Sequence, residues 1–222
     1  NKILGTKKIF NYRNKMEFTF SNKRWLTQKE ILSNENITNK NALGFHVPGM
    51  FDKVIDIKTC HLQDEPSNTI RNRIREFALN NKLSFFDLKK QEGLLRNLMI
   101  RISKIGEIMV LVQFFNDDSK KINLLMSFIK DSFSEITSLL YTINTKPNNT
   151  IYDQEIICYS GKNYIREKIE NLTFKIGPKS FFQTNSEQAK LLYSSVRKLA
   201  NIKNNDIVYD LYTGTGTIAQ FI

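Results

Sequence analysis

The residue pattern predicts an α+β domain over residues 1–176, followed over 177–222 by the opening elements of an α/β domain. Three observations carry that reading. Short apolar runs bounded by turn residues recur through the first part of the chain. Two amphipathic helical stretches interrupt them, as in mixed α+β folds. After Gly177-Pro178 the order changes to helix, apolar run, two-glycine turn and second helix start.

Each element follows from its spacing. From Tyr12 to Phe20 the chain alternates, with Met16, Phe18 and Phe20 facing one way and Lys15, Glu17 and Thr19 the other, which predicts a strand. Asn22-Lys23 supplies a turn. The stretch Gly44-Phe45-His46-Val47-Pro48-Gly49 is expected to be a loop or strand end, with a short strand around Val54-Ile55-Asp56-Ile57. Pro66 and Ser67 introduce a helix with Ile70, Ile74, Phe77 and Ala78 on one face. Arg71 and Arg75 then stand four apart on its outer side. The runs Leu95 to Ser103 and Glu107 to Phe115 predict a hairpin about Gly106. Asn116-Asp117-Asp118-Ser119 breaks the pattern and can cap a helix carrying Ile122, Leu125, Met126, Ile129 and Phe133. Further strands are expected near Ile136 to Asn144, Glu155 to Tyr159 and Leu172 to Ile176. Pro147-Asn148-Asn149 and Gly161-Lys162-Asn163 supply turns between them. The last long helix, about Ser186 to Ala200, places Ala189, Leu192, Tyr193, Val196 and Ala200 on a common face, and Thr184-Asn185-Ser186-Glu187 fits a capping box at its entry.

Composition bounds the class. With 222 residues, 41% hydrophobic and 25% charged, the chain has the make-up of an ordinary globular protein with material for a core. No run approaches the roughly 18 apolar residues of a membrane span, and the start lacks a signal-peptide layout. A formal net charge of +11 favours a polyanionic partner such as nucleic acid. An Asn-, Lys- and Ile-rich usage set by genome base composition would give the same sign. Cys60 and Cys158, the only cysteines, are too few and too distant for a disulfide framework, so a reducing cytoplasm is the expected compartment.

The most informative stretch is Ile207-Val208-Tyr209-Asp210-Leu211-Tyr212-Thr213-Gly214-Thr215-Gly216-Thr217. An apolar run reaching an acid, a two-glycine turn and a helix start would place backbone N–H groups beside a nucleotide-like ligand. Gly214 to Ala219 formally matches the G-x-G-x-x-A dinucleotide pattern, a weak signal alone. Asp210 discriminates. A phosphate held at this turn would be repelled by that carboxylate, whereas a cationic sulfonium and ammonium would be favoured. Missing Cβ atoms at Gly214 and Gly216 would let the backbone approach. A nicotinamide or flavin nucleotide, or a ligand-free structural turn, remain the competing readings.

Phe181-Phe182-Gln183-Thr184-Asn185, followed at this separation by Asp210-Leu211-Tyr212-Thr213-Gly214-Thr215-Gly216, resembles the RNA (uracil-5-)-methyltransferases, most closely the 23S rRNA branch. Tyr12-Arg13-Asn14-Lys15-Met16-Glu17-Phe18 is similar to the strand opening that family's central domain, and Gly44-Phe45-His46 through Cys60 to a later stretch of it. The resemblance implies a central α+β RNA-recognition domain over 1–176. Residues 177–222 would then begin a class I, Rossmann-like α/β S-adenosylmethionine-dependent methyltransferase domain. The chain would be a fragment lacking an upstream region and most of the catalytic domain.

The resemblance also implies roles. Gln183 would contact S-adenosyl-L-methionine through its amide, and Tyr212 would lie against it. Gly214 and Gly216 would shape the turn, beside Asp210. Thr217 stands where several relatives have Asn. Helix capping and local backbone bonding are the competing roles for Gln183 and Asn185. Cys60 falls where many relatives place the last of four iron–sulfur ligands, the other three expected before residue 1; a small buried side chain is the alternative. Arg13, Lys15, Arg71, Arg75, Phe45 and His46 are candidate contacts to RNA, 23S rRNA by overall likeness, although single Lys and Arg residues are usually solvated surface. The family's chemistry is covalent: a cysteine thiolate adds to uracil C6, C5 takes the methyl group, and a base removes the C5 proton so that the cysteine leaves. The target base must first leave its stack. Nucleophile and base are expected downstream of Ile222, so no catalytic residue is assigned here. A methyltransferase of another substrate class and a non-catalytic RNA-binding module are the alternatives.

Overall fold

A computed structural model describes residues 3–33, 37 and 39–222. The first strand, β1 (Lys15–Ser21), is followed by a short helix α1 (Gln28–Leu32) and the hairpin β2 (Ala42–Val47) and β3 (Met50–Asp56). Helix α2 (Ser67–Asn80) leads to the hairpin β4 (Leu95–Ile102) and β5 (Ile108–Phe114), and α3 (Ser119–Ser132) leads to β6 (Ile136–Ile143) and β7 (Ile157–Gly161). The hairpin β8 (Ile165–Ile169) and β9 (Leu172–Ile176), then α4 (Ser186–Ala200) and α5 (Thr217–Phe221), complete the chain. Seven strands form one sheet in the order β3-β2-β1-β4-β5-β6-β7, while β8 and β9 pair separately. Only β5 and β6, joined by the α3 crossover, run parallel within it; the remaining neighbours are antiparallel. The sheet is mixed.

Period-two alternation sends successive side chains to opposite faces, and both faces of the central strands are covered. On one face Phe18, Phe20, Leu98, Ile100, Val110 and Val112 pack with Ile70 and Ile74 of α2 and Ile122, Leu125 and Ile129 of α3. On the other, Met99, Met109 and Leu111 pack with Ile165 and Ile169 of β8, Phe174 of β9, Phe182, and Ala189 and Tyr193 of α4. β5 is therefore buried along its whole length, as expected of a run of Ile, Met, Val and Leu without alternating polarity.

Several boundaries depart from the sequence reading. Gly44 lies within β2, where a loop or strand end is expected, and a Cβ there would meet the Ile55 carbonyl of β3 directly. Glycine marks close strand approach here, not a break. Neither α1 nor β8 is anticipated by the sequence reading; α1 is held by a reciprocal capping box between Thr27 and Glu30. The N-cap of α4 is Asn185, whose side chain accepts from the Gln188 amide. This displaces the expected Thr184–Glu187 box by one residue. Ile207 to Tyr209 pair with no strand among the described residues, and the side chains of Ile207 and Tyr209 are exposed. Strand identity needs a partner ladder, which propensity alone cannot supply.

Candidate cofactor and RNA site

Asp210 lies at the root of the two-glycine turn. Its Oδ2 accepts from the Thr213 hydroxyl at 2.9 Å and from the Ala219 amide at 3.2 Å, so that oxygen braces the turn and the first turn of α5. Tyr212, Gly214 and Gly216 all adopt positive φ, at 62°, 56° and 71°. Left-handed backbone is unusual for an aromatic residue, and such strain persists where the surroundings impose it. The Tyr212 side chain is fully exposed. A Cβ at Gly214 would meet nothing closer than the Tyr212 carbonyl at 3.9 Å, so that side of the backbone is open to a ligand. Thr217 begins α5 and is half-buried.

Gln183 reaches the same neighbourhood through tertiary structure. The Thr215 hydroxyl donates to the Phe181 carbonyl at 3.4 Å, tying the turn to the F-F-Q-T-N segment. That segment is in turn fastened to the start of β1. The Asn14 side-chain amide donates to the Gln183 carbonyl and to the Ser186 hydroxyl, both at 2.8 Å, and the Asn14 backbone amide donates to the Thr184 carbonyl at 2.7 Å. Ser186 passes the chain on to Glu167, which also accepts from the Lys104 amide. The Gln183 backbone is thus occupied, while its half-buried side-chain amide makes no hydrogen bond among the described residues. Capping belongs to Asn185. These features fit a ligand with hydrogen-bonding edges held between Gln183 and the glycine turn.

The candidate RNA contacts separate. Lys15 pairs with Glu17 at 2.6 Å on the face of β1 that lines a cavity of about 420 Å³. Arg13 is half-buried, with its Nε donating to the Lys15 carbonyl. His46 is exposed, while Phe45 turns inward to stack on Phe18 with centroids 5.3 Å apart. Arg71 does not occupy the outer side of α2. It is fully buried, donates to the Ile57 and Lys58 carbonyls, and lies 4.8 Å from the Phe18 ring centroid. Helical spacing marks neighbours on a helix but not which neighbour faces the sheet, and Arg71 follows Ile70 and Ile74 inward. Arg75 is half-buried and closes on Asp56 at 2.6 Å.

Cys60 also lies inward. It belongs to the apolar cluster under α2, and its backbone N–H and carbonyl are both held by Asn68. Among the described residues no group of three or more His, Cys, Asp or Glu side chains could hold a metal ion. Cys60 packs here as a small buried thiol, and the expected cluster would need three further cysteines besides it. Cys158 is exposed and free. Among the described residues no helix is long and apolar enough to cross a membrane.

The sequence reading also misses two arginines. Arg96 is fully buried between Phe86 and Phe115 and donates to the carbonyls of Asn144, Lys146 and Asn148 and to the Asn149 side chain. Arg101, in β4, is 2% exposed. Each occupies a position where strand alternation merely permits a polar residue, and no local signal marks it as buried.

The chain and its fold are similar to those of known RNA methyltransferases. The chain is 53% identical over 223 residues to an uncharacterized RNA methyltransferase of Bacteroides thetaiotaomicron, covering 99% of this chain and 49% of that protein. It is 52% identical over 225 residues to an uncharacterized RNA methyltransferase of Porphyromonas gingivalis, covering 99% of this chain and 48% of that protein. The chain thus spans about half the length of the curated relatives it matches. The fold is similar to that of the Pyrococcus abyssi tRNA (uracil-54, C5)-methyltransferase solved with S-adenosyl-L-homocysteine, with a TM-score of 0.69 and 27% identity over 97% of this chain and 47% of that one. No family model matches.

Proposed function

We propose that this chain contributes the S-adenosylmethionine entry site and part of the RNA-binding surface of an RNA uracil-5 methyltransferase. The observation that carries the reading is the free Gln183 amide tethered, through Phe181 and Thr215, beside a turn with three left-handed residues. The likeness to a uracil-C5 methyltransferase solved with S-adenosyl-L-homocysteine supports it independently. Gln183, Tyr212, Gly214 and Gly216 would hold the cofactor, with Thr217 and the free oxygen of Asp210 adjoining it. When bound, S-adenosylmethionine supplies the methyl group. This chain's own residues orient it: Asn14 fixes the Gln183 backbone, Asp210 holds the turn closed, and the bare glycine backbone admits the ligand. Residues 1–176 would form the RNA-recognition domain and 177–222 the start of the methyltransferase domain. No nucleophile or general base is assigned to this stretch.

The sequence resemblance favours 23S rRNA as substrate, whereas the solved neighbour acts on tRNA. RNA transcripts of both classes carrying tritium at uracil C5 decide between them. Methylation at C5 releases that tritium to water, and only the true substrate should release it in the presence of the natural full-length protein and S-adenosylmethionine. Cofactor-dependent methyl transfer without tritium release would mean another substrate atom. In the same protein, Gln183→Ala should weaken S-adenosylmethionine binding by about tenfold, the loss of one hydrogen bond worth roughly 1.4 kcal/mol. An unchanged calorimetric Kd would remove Gln183 from the site.

A further inference from the structure

The cavity beside the F-F-Q-T-N segment contains a buried cation that forms no ion pair among the described residues, although Glu17 and Glu167 are near enough to favour its charge. Arg101 projects from β4 into a space of about 420 Å³ lined also by Lys15, Lys179, Tyr152 and Phe181. Its Nη2 makes one long contact, 3.4 Å, to the Ser180 carbonyl, while Nε and Nη1 have no partner among the described residues. Glu17, the carboxylate lining the same cavity, is engaged by Lys15 at 2.6 Å. In the sheet register Lys15 stands directly opposite Arg101. Like charges across a strand pair cost stability, and a buried guanidinium with unmet donors costs more. The contrast with Arg96 is informative, because that buried guanidinium has acceptors for Nε, Nη1 and Nη2. Burial pushes Arg101 down to about 10, which leaves it charged at neutral pH. The cavity rim adds two exposed aromatic side chains, Tyr152 and Phe181.

We propose that Arg101 receives a backbone phosphate of the RNA substrate, its Nε–Nη2 edge forming a two-point contact that replaces the long Nη2 contact to Ser180, while Tyr152 or Phe181 stacks on an adjoining base. A guanidinium edge matches two phosphate oxygens, and exposed aromatics beside a basic groove are the usual means of holding unpaired nucleotides. The inference rests on the RNA-methylation reading and adds an RNA subsite to it. It places a phosphate beside the Phe181–Thr184 segment that carries Gln183, where the strand must be held if a flipped base is to meet the cofactor.

The test uses the natural full-length protein and a single-stranded RNA oligonucleotide that it binds. The Arg101 Nε–H resonance, assigned by its loss in Arg101→Lys, should shift on saturation with that RNA. It should not shift with an otherwise identical oligonucleotide bearing neutral methylphosphonate linkages. Inorganic phosphate alone should move it only weakly, which separates an RNA site from a free-anion site. Arg101→Met should weaken RNA binding about tenfold and reduce the salt slope of binding by about 1. It should leave S-adenosylmethionine affinity unchanged and should not lower the unfolding midpoint, since a buried guanidinium with two unpartnered donors is removed. A resonance that ignores saturating RNA, or an Arg101→Met protein that binds RNA as tightly as the native one, overturns the proposal. Should Arg101→Met fail to fold, the resonance measurement on native protein still decides. A native protein that binds no RNA at all would instead defeat the functional reading itself.

Discussion

Buried arginine is where single residues matter most in this protein. Arg71, Arg96 and Arg101 are all at or below 2% exposure, yet their surroundings differ. Arg96 gathers the 144–149 loop through four side-chain bonds, and its guanidinium lies 4.8 Å from the centroid of Phe86. Removing it strands several carbonyls away from water. Arg96→Met is therefore expected to cost about 3–5 kcal/mol in a denaturant titration, the range for breaking a buried charged network. Arg101→Met should show no such loss. A large loss at one buried arginine and none at the other would separate a structural cation from one held for a ligand. Neither role is visible in the sequence, where both are simply charges within apolar runs.

At the scale of an element, the loop between α2 and β4 shows how a carboxylate anchors a chain reversal. Asp87 is 1% exposed, and burial alone would push its carboxyl up. The Lys90 amide, the Asn22 side chain and Lys23 outweigh that effect and hold it at about 2, below its ordinary 3.8. A depressed folded value means the anion stabilises the fold above the unfolded value, and this contribution disappears as pH falls toward 2. Asp87→Asn should therefore be less stable than the native protein at neutral pH. The gap between the two urea midpoints should close on going from about pH 5 to pH 2. A gap that stays constant with pH would show that the loop does not depend on the charge. Apolar periodicity anticipates the neighbouring elements, α2 and the β4–β5 hairpin, well. The Asp87 clasp escapes it because its partners Asn22 and Lys23 lie 65 and 64 residues away, near the end of β1.

Across the whole molecule, the mixed sheet separates two cores, and the candidate site sits where the second core meets the start of β1. Asn14 is the joint. Its side chain spans 169 residues to the Gln183 carbonyl and 172 to the Ser186 hydroxyl. Asn14→Ala should leave these buried acceptors short of a donor and lower stability by about 2 kcal/mol. It should also weaken S-adenosylmethionine binding, because the segment carrying Gln183 would lose its tether. Lowered stability with an unchanged cofactor Kd would separate the joint from the site.

Period-two and helical spacing were sufficient to predict α2, α3 and the β4–β5 hairpin, because each signal is local and its apolar face has only one way to be buried; α4 forms where expected, but Leu192 and Ala200 of its expected face are exposed. Motif spacing likewise singled out Gln183 and the Tyr212–Gly216 turn without any coordinates. What spacing could not convey was direction and partnership. Arg71 reads as outward until its helix is laid on the sheet, and Gly44 reads as a loop or strand end until Ile55 is brought against it. Those outcomes depend on long-range packing, which places groups by the shape of what surrounds them and not by their order along the chain.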